Sequence, residues 1–304
     1  MKFNFNHATQ MLQMLQHCSK ICMDYWGNLK PLNTKIKSDN SPLTQADEAI
    51  NAIICKFIRQ KLFTTLKCFD NLCLISEEAS VCSKKLKDGK SEISFFVDPI
   101  DGTRDFIKKT TNFTINIGIC INNKPCIGFV VAPALGECYF GLVKKPSLNN
   151  FIDYASFGSS GAFCCENFHK ISNINLHYFT KINPSRASEG LVLAISKNPA
   201  EQGISKYFTN VSSVLHVSSS LKGCLLASGK AHIYCRQGPT YEWDTCAIHA
   251  LALAVKCFVK NLDGTNLVYN KYKQSYKNVK GFCMANKKSN LLKIKNENQH
   301  KKSI

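Results

Sequence analysis

The chain has no uninterrupted apolar run approaching the roughly 18 to 20 residues of a membrane-spanning helix. Its most apolar segments, such as Ile127 to Leu135, are short and broken by glycine or proline. Arginine is scarce: Arg59, Arg104, Arg186 and Arg236 are the only ones among 39 basic residues, so lysines scattered along the chain carry the formal net charge of +18. That pattern lacks the clustered arginine and aromatic platform used for single-stranded nucleic acid, and no stable nucleic-acid partner is expected. The 16 cysteines include no repeated CxxC pair, which argues against a structural zinc site. A chain of 304 residues is also not a small domain held together by disulfides. Buried, reduced thiols in a cytoplasmic protein are expected, with or without a peripheral contact at the cytoplasmic face of the inner membrane.

What is present is enough apolar residue, 44%, to bury one large core or two closely packed ones. Ala8, Met11, Leu12, Leu15, Cys18, Cys22, Tyr25 and Trp26 recur at helical spacing, so the N-terminus reads as an amphipathic helix rather than a secretory signal. A second helix is expected over Thr44 to Leu66, capped by Thr44 or Ser41. Strands follow at Leu72 to Ser76, Ile93 to Val97, Phe113 to Ile121, Ile127 to Ala132 and Glu137 to Val143. After a loop-rich stretch, strands at Leu191 to Ser196, Val214 to Val217 and Ala231 to Cys235 alternate with helices around Ala200 to Phe208, Ser219 to Ser228 and Thr245 to Val255. The expected division is an α+β part over 1–145, an α/β part over 146–286 and a basic, solvated tail over 287–304.

Acidic residues gather at the ends of these elements. In Phe96-Val97-Asp98-Pro99-Ile100-Asp101-Gly102-Thr103-Arg104-Asp105-Phe106 an apolar strand runs straight into an acidic loop. Pro99 biases Asp98 towards extended backbone, and Gly102 permits a tight turn or a close approach. Carboxylates held this close repel unless a cation lies between them, and hard oxygen ligands suit Mg²⁺. The same stretch is also what an Asx-turn and helix cap at Asp101 would look like. Ser76-Glu77-Glu78 again ends a strand in acids, only one of which can face a given site. Asp244 precedes an Ala-rich helix, where capping alone accounts for an Asp.

Taken together, Ser76-Glu77-Glu78, Asp98-Pro99-Ile100-Asp101-Gly102-Thr103 and Trp243-Asp244 resemble the lithium-sensitive, magnesium-dependent inositol monophosphatase superfamily, and most of all its bacterial 3'(2'),5'-bisphosphate nucleotidase branch. Lys37 to Asp47, Ser219-Ser220-Leu221-Lys222 and Gly238-Pro239-Thr240 extend the likeness over roughly residues 5 to 285. The resemblance implies a layered αβαβα sandwich of the sugar-phosphatase type. It implies two or three Mg²⁺ ions held by Glu77, Asp98, Asp101, the Ile100 carbonyl and Asp244. It makes Asp47 and Thr103, with Glu77, the catalytic groups around the attacking water, and gives the scissile phosphate to Gly102 and Thr103.

Arg104-Asp105 after the Asp-Gly-Thr core is similar to the nucleotidase branch rather than to the Thr-Asn-Phe of inositol phosphatases. A second phosphate needs its own cationic pocket, for which Ser219, Lys222 and Arg236 are the candidates. The expected partner is then a small phosphorylated nucleotide, 3'-phosphoadenosine 5'-phosphate or its 5'-phosphosulfate, with hydrolysis to AMP linked to sulfur assimilation; the enzyme is expected as a monomer or homodimer. Two other readings stand beside it, an inositol or sugar monophosphatase and a basic RNA-binding protein that keeps the fold. Cys246-Ala247-Ile248 departs from the family's usual Ala-Ala-Gly after Asp-Thr. An isoleucine there adds bulk behind Asp244 and requires its neighbours to have repacked.

Overall fold

A computed structural model of the chain describes residues 2–28, 34–36, 42–66, 72–78, 80–82, 92–185, 190–197, 201 and 203–291. The family-like segment over 37–41 and most of the basic tail lie outside these residues. The helical elements are α1 (Phe5–Asn28), α2 (Gln45–Phe57), α3 (Phe63–Thr65), α4 (Thr103–Ile107), α5 (Tyr154–Phe157), α6 (Leu221–Ala227) and α7 (Glu242–Ala254). Among the described residues, no helix is long and apolar enough to cross a membrane.

The large sheet is built from β3 (Leu72–Ser76), β4 (Ser80–Cys82), β5 (Ile93–Asp101), β6 (Thr114–Ile121), β7 (Lys124–Ala132), β8 (Glu137–Leu142), β9 (Gly161–Cys165) and β10 (Thr180–Ile182). Its strand order is β10-β9-β8-β7-β6-β5-β3-β4, antiparallel except where β3 runs parallel to β5. The smaller sheet contains β11 (Leu191–Ile195), β12 (Val211–His216), β13 (Ile233–Arg236), β15 (Phe258–Asn261) and β17 (Phe282–Ala285) in the order β12-β11-β13-β17-β15. Two short pairs complete the set, β1 (Thr34–Ile36) with β2 (Pro42–Thr44) and β14 (Thr240–Tyr241) with β16 (Lys277–Asn278).

These elements stack in the expected layers. One face of the large sheet, with Phe95, Phe129 and Phe140, packs on Met11, Leu12 and Leu15 of α1 and Ile50 and Ile54 of α2. Its other face, with Phe96, Val130 and Tyr139, shares a core with Cys246 and Leu251 of α7 and with Tyr234, Phe282 and Met284 of the smaller sheet. The outer face of that sheet buries Leu193, Ile195 and Ile233 against Ile204. With both faces of the large sheet covered, every residue of β6 is buried, and its strands read as continuous apolar runs.

Several expectations change in detail. The helix expected over Thr44 to Leu66 is interrupted by a π-turn at Ile58–Leu62. The large sheet extends through β9 and β10 to residue 182, past the expected division at 145, and the smaller sheet mixes parallel with antiparallel pairs. Among the cysteines whose side chains are described, thirteen are free and all but Cys164 are buried; Cys73, by contrast, is disulfide-bonded, unlike the uniformly reduced thiols expected.

One packing detail fixes where α7 lies. Gly118, Gly128 and Gly141 stand opposite one another across β6, β7 and β8, forming a groove with no side chains. A Cβ on Gly118 would meet Cys246 Sγ at 2.4 Å, and one on Gly128 would meet the Ala247 carbonyl oxygen at 2.2 Å. The helix backbone therefore rests directly on the sheet. Gly128→Ala is expected to lower stability by about 1–3 kcal/mol or more through overpacking against that backbone. Gly27→Ala, where a Cβ has nothing within 4 Å, is expected to be neutral or stabilising by up to about 1 kcal/mol. Urea unfolding of the two variants checks the contrast.

Candidate metal and phosphate site

Asp98 and Asp101 reach the same side of the sheet because β5 contains a bulge. Asp98 pairs with Asn116 and Asp101 with Thr114, so three steps on β5 match two on β6. In a regular strand, residues three apart face opposite ways; the surplus residue, in the Pro99-Ile100 pair, brings both acids to one face. A proline that cannot donate to the ladder is compatible with a bulge. Glu77 follows the end of β3, where its N–H donates to the Val97 carbonyl. Asp244 arrives on the first turn of α7.

The carboxylates lie close enough for each to act on the charge of the others. Asp98 is 1% exposed, and its carboxyl is pushed well above the usual range by burial and by the charges of Glu77, Asp101 and Asp244, with a hydrogen bond to Glu77 adding to the shift. Burial, with Asp101 and Glu77 nearby, also raises Asp244 well above its ordinary value, against the opposing effect of the Tyr241 N–H that donates to Asp244 Oδ2 at 2.7 Å. Asp47 sits at the start of α2, where the Thr44 N–H and hydroxyl donate to its Oδ2 at 2.8 and 2.5 Å. Burial drives Asp47 up to about 7, with Glu78 and Glu77 contributing and the Thr44 hydrogen bonds opposing. Thr44, one of the two expected caps, is thus the one that caps.

Ser220 and Asn116 join these elements; Ser220 belongs to the family-like Ser219-Ser220-Leu221-Lys222 motif, but no role was read for it or for Asn116 from the sequence. Ser220 is 1% exposed; its hydroxyl lies 2.8 Å from Asp101 Oδ2 and 3.1 Å from the Asp244 carbonyl oxygen, as a donor towards each. Asn116 Nδ2 donates to Asp101 Oδ2 at 3.1 Å and to Ser220 Oγ at 2.9 Å. Asp101 therefore accepts from side chains of two other elements and does not cap α4, whose N-cap is Gly102 at φ 92. A Cβ on Gly102 would meet the Asn112 carbonyl oxygen at 2.9 Å, which accounts for glycine there. The Thr103 hydroxyl donates to the Ile100 carbonyl at 3.1 Å, and no hydrogen bond joins Thr103 to Asp47 among the described residues.

The cationic side of the site differs from a row of surface contacts. Lys222 is 4% exposed, lies over the Tyr234 ring at 5.2 Å and donates to the Ser219 carbonyl at 2.8 Å. Burial pulls it down to about 8, while Asp101 opposes. Arg236 is ion-paired with Glu201 at 2.8 Å, and its Nε has no hydrogen-bond partner among the described residues. Ser219 takes left-handed backbone at φ 55 and turns the chain into α6, whose N-cap is Ser220. Arg104 is exposed on α4.

The donor set fits a hard cation. Buried Asp47 Oδ1, Asp98 Oδ1, Thr114 Oγ1 and Asn116 Oδ1 lack a hydrogen-bond partner among the described residues; unpaired buried oxygens of this kind are costly, and they belong to the acids or to the β6 residues opposite them. Among the described residues, however, no three His, Cys, Asp or Glu side chains stand ready as a formed ligand sphere. Asp98 is tied to Glu77, and Asp47 and Asp244 each use Oδ2 at a helix start.

The comparisons with known proteins bear on this geometry. The model of the inositol monophosphatase family matches residues 7–299. The chain belongs to that family. Among curated relatives, the 3'(2'),5'-bisphosphate nucleotidase CysQ of Buchnera aphidicola subsp. Acyrthosiphon pisum is 31% identical over 263 residues, covering 86% of this chain and 85% of the relative. The CysQ of Escherichia coli K12 is 28% identical over 267 residues, covering 86% and 92%. Among solved structures, CysQ from Bacteroides thetaiotaomicron superposes with a TM-score of 0.66 at 24% identity, over 90% of this chain and 94% of that one. An IMPase of Thermotoga maritima gives 0.64 at 20% identity, over 91% and 90%. These structures share the layered α+β fold of the inositol monophosphatase family.

Two outcomes are expected of the site. Asp47, Asp98 and Asp244 bind protons more tightly folded than unfolded, so their contribution to stability is full below about pH 4 and lost as pH rises, through about 7 for Asp47. In EDTA, thermal unfolding should show stability falling from pH 5 to pH 8, with Asp98→Asn flattening the fall; a profile identical in the two proteins would contradict it. Ser220→Ala, which removes one of the two partners of Asp101 Oδ2 and of the Asn116 amide and the contact with the Asp244 carbonyl, should lose about 1–3 kcal/mol in urea unfolding.

Proposed function

We propose that the chain is a Mg²⁺-dependent phosphomonoesterase whose substrate is 3'-phosphoadenosine 5'-phosphate, with its 5'-phosphosulfate as a close alternative, and that it releases phosphate to leave AMP for a pathway of sulfur assimilation. The observation that carries this reading is the approach of acids from three separate elements, close enough that burial and its neighbours' charge push the Asp98 carboxyl well above the usual range. Support for the substrate comes from the curated relatives named as bisphosphate nucleotidases.

In this reading Glu77, Asp98, Asp101, Asp244 and the Ile100 carbonyl hold two or three Mg²⁺ ions. When bound, these ions neutralise phosphate charge and acidify a water. The protein's own groups do the rest. Asp47, near 7, is poised to take a proton from the attacking water at neutral pH. Thr103 orients that water from the start of α4, and the backbone of Gly102 and Thr103 receives the scissile phosphate. Ser220 keeps Asp101 and α7 at a fixed separation through its two contacts.

The second phosphate falls to Arg236, whose guanidinium, ion-paired with Glu201, is a charge-assisted donor. Lys222 lies beneath it, supplying charge and holding Ser219. Arg104, exposed beside the acidic loop, adds to the positive rim. The site is expected to work in the cytoplasm.

A panel of the adenosine bisphosphate and inositol 1-phosphate, with Mg²⁺ and with EDTA, tests the proposal. Mg²⁺-dependent release with preference for the bisphosphate is expected; preference for inositol 1-phosphate would move the enzyme to the other branch of its family. Binding of RNA without Mg²⁺-dependent phosphate release would overturn the enzymatic reading. Asp98→Ala should cut kcat by at least roughly 10²-fold. Arg236→Ala should raise KM for the bisphosphate roughly tenfold or more while sparing a simple monophosphate.

A further inference from the structure

At the C-terminal end of α7, away from Asp244, lies a concavity of about 800 Å³. Lys144, Lys145, Lys181 and Lys256 all line it, and its lining contains no Asp or Glu. None of the four has an ion pair among the described residues. They come from three places: the end of β8, strand β10 and the turn after α7. One cation beside a helix C-terminus is what the helix dipole favours. Four on one cavity repel one another, and a bound anion relieves that repulsion.

Two of these lysines are held in place by the backbone. Lys256 has left-handed backbone at φ 62, at a position after a helix where glycine is the ordinary residue, so a cationic side chain stands where the conformation favours none. Lys181 lies across Gly161: a Cβ there would meet Lys181 Cε at 3.1 Å and Nζ at 3.8 Å. Glycine thus lets that ammonium sit against β9. Ile182 and Leu253 add apolar surface to the lining. The cavity has nucleotide size, and the rise along α7 sets it roughly 15 Å from Asp244.

We propose that this concavity is a second anion site, taking a small molecule with two or more phosphate groups in a row. The inference does not depend on the reaction at the acidic site. Calorimetric titration of the full chain in EDTA and low salt, with inorganic tripolyphosphate and separately with ATP, tests it. Saturable binding of either at one site is expected; tighter binding of ATP would assign Ile182 and Leu253 to the base, and equal affinity would assign the site to the phosphate chain alone. Lys144→Glu with Lys256→Glu should weaken binding at least tenfold. Lys20→Glu with Lys56→Glu makes the same charge change on exposed positions of α1 and α2 and should weaken it no more than twofold, while Lys222→Ala should leave it unchanged. Absence of saturation, an equal loss in the two double variants, or loss in Lys222→Ala would overturn the proposal.

Discussion

The surplus residue in β5 is the constraint on which the rest of the site depends. Without it Asp98 and Asp101 would project to opposite faces of the sheet, and only one could meet Glu77 and Asp244. With it, both acids enter the same buried space, and Asp101 comes within reach of Ser220 and Asn116. The arrangement stores repulsion. Burial and like charge push Asp98 and Asp244 towards their neutral forms, and several oxygens around them have no hydrogen-bond partner among the described residues.

Holding that geometry requires α7 to be fixed against the sheet. The three glycines in register on β6, β7 and β8 provide the seat, because strand backbones without side chains let a helix lie close. Asp244 is thus positioned from below by packing and from the side by Ser220, whose hydroxyl touches both the acid of β5 and the backbone of α7. Polar and apolar parts of the fold converge on one distance, that between the bulge and the helix start.

Much of this was legible in the sequence because the signals were local. Apolar strands running into acids at Ser76-Glu77 and Val97-Asp98 marked strand ends, and Leu72–Ser76 was read to the residue. The buried face of α1 followed from apolar spacing. Family motifs then supplied the order and the layers. Less legible were contacts that depend on distant pairing. Ser220 and Asn116 are ordinary polar residues, 119 and 15 positions from Asp101, and nothing in their surroundings announces the meeting. Attention fell on Ser219 instead, one residue early, because the left-handed turn there shifts the cap to Ser220. Burial of Lys222 was invisible for the same reason: a lysine on a short helix reads as surface until Tyr234 and the Ser219 carbonyl are seen to enclose it. In the loop-rich stretch with scattered strand signals β10 went unplaced, because at the sheet edge it has largely exposed residues and carries no apolar alternation.

The bulk of Ile248 behind Asp244 has its counterpart directly across the α6–α7 contact. A Cβ on Gly223 would lie 2.5 Å from Ile248 Cβ and 2.7 Å from its Cγ2, so the two positions share a single volume and only one can fill it. Such a pair limits the paths by which a lineage can exchange its occupants. If the larger side chain arrives first, the helices collide beside Asp244. If the smaller one arrives first, the chain passes through a void that costs stability but leaves the site in place. The order of exchange that avoids the collision is therefore the one in which glycine at 223 comes before isoleucine at 248.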